Sequence, residues 1–95
     1  SIVFKRCNNI KINIESKINK IIFINSNNIK LSCCATISGI DIEKCLEFKL
    51  VPNEPYTLGY VDCYKSIIEI FAKKNIYNKF ILANNKSKIT INMDD

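Results

Sequence analysis

Three six-residue stretches, each starting nineteen residues after the last, constrain this chain more than anything else in it. They are Cys7-Asn8-Asn9-Ile10-Lys11-Ile12, Ser26-Asn27-Asn28-Ile29-Lys30-Leu31 and Cys45-Leu46-Glu47-Phe48-Lys49-Leu50. Each follows an apolar run: Ile2-Val3-Phe4, Ile21-Ile22-Phe23, then Ile40-Asp41-Ile42. Looser copies run from Leu58-Gly59-Tyr60 into Cys63 and from Phe80-Ile81-Leu82 into Asn85. A fixed period of roughly this length marks a stacked repeat, in which each unit buries its apolar face only against its neighbours. One unit is written five times.

Within a unit the period is two. Ile10, Ile12 and Ile14 alternate with Lys11, Asn13 and Glu15, which describes a strand with one buried face. Isoleucine dominates the apolar set, and its branched Cβ suits a pleated surface. The pair Asn8-Asn9 reads as a corner, because asparagine tolerates the left-handed conformation that sharp corners require. No Asn-Gly or Asp-Gly pair signals a hairpin. Strands repeating in register without hairpins predict parallel pairing, the rest of each coil supplying the long crossover that parallel strands need. The expected fold is therefore an all-β, right-handed parallel β-helix of about five coils with a repeat near 19 residues, forming one domain over residues 1–95. Its interior columns should be Phe4-Phe23-Ile42-Tyr60-Leu82, Ile10-Ile29-Phe48 and Ile12-Leu31-Leu50. Cys7, Ser26, Cys45 and Cys63 should form a further column of small side chains.

Two stretches test this reading. Pro52-Asn53-Glu54-Pro55 predicts a loop closing the third coil. Residues 65–80 could be taken for an amphipathic helix, but Lys74 and Asn78 interrupt its apolar face and Ile67-Ile68 with Ile70-Phe71 favours strand. The expectation is strand, a loop through Lys73-Lys74-Asn75, then strand. A corner at Tyr64-Lys65-Ser66 should make the next strand, Ile68-Glu69-Ile70, arrive about one residue late.

Composition narrows the function classes. There is no histidine, which removes the usual general base near neutral pH and the commonest zinc ligand. The serines have no base to activate them, and Gly39 and Gly59 stand apart, so no phosphate-cradling loop is written. The five cysteines are odd in number and lack metal-knuckle spacing; they read as compact, reduced core residues in a cytoplasmic protein. No apolar run is long enough to span a bilayer. The expectation is a protein that is not an enzyme and that uses no metal and no cofactor.

The net charge of +5 suits an acidic protein surface, a phosphate backbone or an anionic membrane. Few aromatics stand among the basic residues, which argues against a nucleic-acid partner. Lys11, Lys30 and Lys49 fall in one outward column, with Glu69 at the next level. Such a column is either a stripe for an acidic partner or solvated lysine whose stems shield the sheet.

Phe4-Lys5-Arg6-Cys7 followed by Lys17-Ile18-Asn19-Lys20-Ile21, then Gly39-Ile40-Asp41-Ile42 and Pro55-Tyr56-Thr57-Leu58, are soft motifs singly. With Phe71-Ala72-Lys73-Lys74-Asn75, Ile81-Leu82-Ala83 and Ser87-Lys88-Ile89-Thr90-Ile91, they keep order and spacing across the whole chain. In this they resemble the C-terminal domain of the cyclase-associated proteins, a right-handed parallel β-helix. The resemblance implies binding to monomeric actin, ADP-actin preferred, and promotion of ADP-to-ATP exchange on it in cytoskeletal turnover. It also implies a homodimer made by exchanging C-terminal strands. Thr57, Lys73 and Ser87 match positions of the family's actin face, and actin's acidity adds Lys11, Lys30 and Lys49 as candidates. The chain departs from the pattern at Val61-Asp62-Cys63-Tyr64-Lys65, where the family's corner glycine is missing, and it stops at Asp95 without the family's tail. It therefore reads as an excised C-terminal domain. The alternative resemblance is to the β-helix of tubulin-folding cofactor C, which stimulates GTP hydrolysis with an arginine; Arg6, the only arginine here, lies in the first coil. A scaffolding solenoid for another acidic protein is the third reading.

Overall fold

The computed structural model describes residues 1–73 and 80–94, with the side chains of 54–56 and 94 left undescribed. Among the described residues the chain is strands throughout: β1 (Ile2–Lys5), β2 (Asn8–Ile14), β3 (Ile18–Ile24), β4 (Asn27–Glu43), β5 (Leu46–Thr57), β6 (Gly59–Tyr64), β7 (Ile67–Lys73), β8 (Phe80–Asn85) and β9 (Lys88–Asp94). No described helix is long and apolar enough to cross a membrane.

All the strand pairs are parallel and build two faces. One stacks β1, β3, the end of β4, β6 and β8, in the register Ile2-Ile21-Ile40-Val61-Leu82. The other stacks β2, the start of β4, β5, β7 and β9, in the register Ile10-Ile29-Phe48-Ile68-Ile89. The expected parallel β-helix is the fold. Its corner positions stand at five levels, Cys7, Ser26, Cys45, Ser66 and Ser87, but the chain makes about four full turns between the first and last rather than five coils.

The corner explains why the chain turns where it does. Arg6, Asn25, Lys44, Lys65 and Lys86 all take φ between 47 and 55°, the left-handed region that turns the backbone sharply. Each of the first four donates its N–H to a carbonyl one level on: Arg6 to Ile24, Asn25 to Glu43, Lys44 to Tyr64 and Lys65 to Asn85, at 2.8–3.0 Å. Asn9, Asn28 and Glu47 supply a second left-handed turn at the lower levels, as the asparagine pair foretold for Asn9 and Asn28.

The repeat length is not constant. Cys7 to Ser26 is 19 residues, whereas Cys45 to Ser66 and Ser66 to Ser87 are 21. Phe48 to Ile68 is 20 by register. Two residues are therefore added on the flank between the faces and one is removed at the following corner, where the second left-handed residue is missing. The one-residue delay at Ile68 is the sum of these opposite changes.

That shift corrects the columns. Phe4, Phe23 and Ile42 continue into Cys63 and Asn84, not Tyr60 and Leu82; Tyr60 lies beside Gly39's level and Leu82 follows Val61. Cys63 consequently leaves the small-residue corner column, and Ser66 takes the place expected for it. The Ile10 and Ile12 columns stand as expected. The Pro52 loop does not form: β5 runs on through both prolines, with Pro52 buried and paired to Cys33. The strand expected at Ile68 is β7; of the loop beyond it, Lys74 and Asn75 lie outside the described residues.

The core sits between the faces. Ile21, Phe23, Leu31, Ile40, Phe48, Leu50, Leu58, Val61 and Ile70 are fully buried. Phe4 stacks on Phe23 at 4.6 Å, and Phe23 meets Phe48 of the opposite face edge-on at 4.9 Å, geometry that adds to area burial. At both ends of the stack the packing loosens, with Phe4, Ile10 and Ile12 at the first level and Leu82, Ile89 and Ile91 at the last only partly buried.

Candidate partner-binding face

Because inward and outward residues alternate, burying Ile10 and Ile12 forces Lys11 outward, and the same holds at each level above. The register then aligns Lys11, Lys30, Lys49, Glu69 and Thr90 in one row across β2, β4, β5, β7 and β9. The three lysines are exposed. Like charges facing each other across paired strands repel, and among the described residues none of the three lysines is in an ion pair. Among the described residues the single ion pair is Lys20 with Asp41, 3.1 Å apart on the opposite face. Glu69 sits one level above Lys49, and its Oε2 accepts a hydrogen bond from Asn92 Nδ2 at 2.9 Å, which fixes the carboxylate without neutralising it.

The row is edged by shallow depressions. One is lined by Asn9, Asn28 and the three lysines, a second by Asn13, Ser32 and Asn53, and a third runs past Glu47, Lys88 and Glu69. Asn28 Nδ2 donates to Asn9 Oδ1 at 2.7 Å, so the polar margin stacks level on level as the lysines do.

The other sequence candidates lie apart from this row. Lys73 is on the same face but at the far end of β7, paired in register with Asp94. Thr57 is exposed on the flank, opposite Ala35. Ser87 belongs to the corner: its Oγ accepts from Ser66 N at 3.0 Å and donates to Asn85 O. The fold thus gathers Lys11, Lys30 and Lys49 and separates them from Thr57, Lys73 and Ser87.

The face with β1, β3 and β6 is mixed in charge, with Lys5 and Lys20 beside Asp41, Glu43 and Asp62. Asp41 and Asp62 are directly opposed in register. Partial desolvation and then the neighbouring Asp41 carboxylate raise the Asp62 pKa, with Lys20 opposing them. Alignment of the two aspartates could not be read from a constant 19-residue period, since they are 21 apart.

Two of the buried thiols, Cys33 and Cys63, are poorly suited to chemistry. All five cysteines are free. Burial pushes Cys33 and Cys63 up to about 12, helped by Cys34 and Asp62 respectively, so neither supplies thiolate near neutral pH. No group of three metal-ligating side chains occurs among the described residues. The chain matches no family model, no curated protein and no solved structure.

Proposed function

We propose that this β-helix is a non-catalytic binding module whose lysine row meets an acidic protein, and that this protein is monomeric actin, on which it promotes exchange of ADP for ATP. The observation that carries the first half is the row itself: three exposed lysines in register, none of them in an ion pair among the described residues. A fold that stacks like charges loses a little stability at each step, and an acidic surface would recover it. The choice of actin rests on the motif order that resembles the cyclase-associated proteins, together with the parallel β-helix that this resemblance implies. A homodimer and a cytoplasmic setting belong to the same reading.

Release of a fluorescent nucleotide from ADP-actin, followed with and without the protein, tests the reading. Acceleration is expected. The triple change Lys11→Gln, Lys30→Gln, Lys49→Gln should leave the fold intact and weaken binding roughly 5- to 150-fold, from about 0.3–1 kcal/mol for each exposed pair. Raised salt should narrow that difference. No acceleration at saturating protein rejects actin as the partner; a triple variant that binds as tightly as the native protein makes the row ordinary solvated surface.

A further inference from the structure

The lysine row has a direction as well as a charge. Read along the solenoid axis its signs are plus, plus, plus, minus and neutral, from Lys11 through Lys30, Lys49 and Glu69 to Thr90. Glu69 accepts a hydrogen bond from Asn92, which orients the carboxylate at the negative end. A partner must therefore offer three negative charges in a line and then a positive one.

Spacing selects the partner's backbone. Adjacent levels stand about 4.8 Å apart, so Lys11 to Glu69 spans about 14 Å. An α-helix laid along the axis brings one side chain to the same stripe per turn of about 5.4 Å. Residues i, i+4, i+7 and i+11 then span about 16.5 Å, and the 2 Å excess is within the reach of long, flexible lysine stems. An extended strand presents same-face residues about 6.6 Å apart, reaching about 20 Å over the four positions, an excess of about 6 Å. A phosphodiester chain has no cation to set against Glu69 and is repelled there, and the ammonium groups of an anionic bilayer are not held in a fixed order with its phosphates. The depressions on either side of the lysine stems leave room for the neighbouring side chains of a helix.

We infer that the row docks an acidic helix lying parallel to the solenoid axis, with carboxylates at i, i+4 and i+7 facing Lys11, Lys30 and Lys49 and a lysine or arginine at i+11 facing Glu69. The inference rests on the row being the partner-binding face, and it adds the partner's secondary structure, its polarity and its charge order.

Two capped, alanine-based helical peptides provide the probe. Both carry Glu at i, i+4 and i+7; one has Lys at i+11 and the other Glu. Titrated into the isotope-labelled protein at low ionic strength and followed by amide shifts, the Lys-ended peptide should bind about 2- to 10-fold more tightly and perturb the levels from Lys11 to Glu69. In the Glu69→Lys variant the preference should reverse. Equal binding of both peptides, or an unchanged preference in that variant, overturns the charge order. Equal binding of a proline-broken peptide of the same composition overturns the helix. Stronger binding to phosphatidylserine vesicles than to either peptide makes the row a membrane contact and overturns the inference as well. If actin exchange is accelerated but no peptide discriminates, this inference falls and the proposed function stands. If the peptides discriminate while actin is unaffected, the charge order stands and the choice of actin falls.

Discussion

Ser66 shows what a single residue does at the corner. Its Oγ accepts the N–H of Cys45 at 3.0 Å and lies within hydrogen-bonding distance of its own neighbour's carbonyl, Tyr64 O, at 2.9 Å. Ser26 does the same for Cys7 N and Ile24 O, both at 3.1 Å. The sulfur of Cys45 keeps the second half of the pattern, donating to Glu43 O at 3.3 Å. The column therefore accepts small side chains that can both donate and accept, and the mixture of cysteine and serine follows from that. Smallness and burial of this column were legible in the sequence; the hydrogen bonds were not, because a cysteine read as a compact hydrophobe has no reason to alternate with serine. Ser66 was read as part of the corner but not as a member of this column, for a different reason: Cys63 lies nearer the expected spacing, and only the two-residue lengthening moves the column to Ser66. Replacing Ser66 with alanine leaves the buried Cys45 N–H without an acceptor and should cost about 1–3 kcal/mol. Ser66→Cys, which reproduces what level three already has, should cost less than Ser66→Ala. Urea midpoints of the two variants decide the point; equal losses would mean that cavity volume rather than hydrogen bonding governs the column.

At the scale of elements, the 17-residue β4 is the piece that joins the two faces, running from the second-face register at Asn27 to the first-face register at Glu43. Gly39 stands on this path at φ 100°, where a side chain is strained, and a Cβ there would run into the Tyr60 carbonyl oxygen one level on, so the position takes only glycine without strain. Thr36 just before it donates its hydroxyl to Leu58 O, tying the flank to the next level. Gly39→Ala should therefore destabilise by about 2 kcal/mol or more, since backbone strain of about 1–3 kcal/mol is joined by a backbone clash; a thermal or urea melt measures it, and a neutral result would show that β4 can bend elsewhere. Sequence pattern placed the strands around this bend because alternation is a local signal. It placed the Pro52 loop wrongly because proline excludes only a donated N–H, not an extended backbone, and the parallel stack carries β5 through. The lysine row was legible for the same reason the strands were: once Ile10 and Ile12 point in, Lys11 must point out. That none of the row's lysines forms an ion pair among the described residues was not, because that depends on where Glu47 and Glu69 come to rest.

For the whole molecule, the stack makes stability a sum over neighbouring levels. The middle levels are sealed above and below, whereas Ile10 and Ile12 at one end and Ile89 and Ile91 at the other are only partly buried. Opening should begin at the ends and move inward. Amide hydrogen exchange followed by NMR should find Ile29, Leu31, Phe48 and Leu50 the slowest, and the β2 and β9 amides faster; one common rate throughout would instead indicate a single all-or-none unit. The unequal coil lengths carry a last consequence, for heredity rather than energy. On the flank between Leu50 and Val61 the chain holds two residues more than between Leu31 and Ile40, and the faces on either side keep their register. Codons can thus be gained or lost there while the scaffold persists. A single codon lost inside β2 would turn every later side chain of that strand to the opposite side, sending lysine into the core and isoleucine into water.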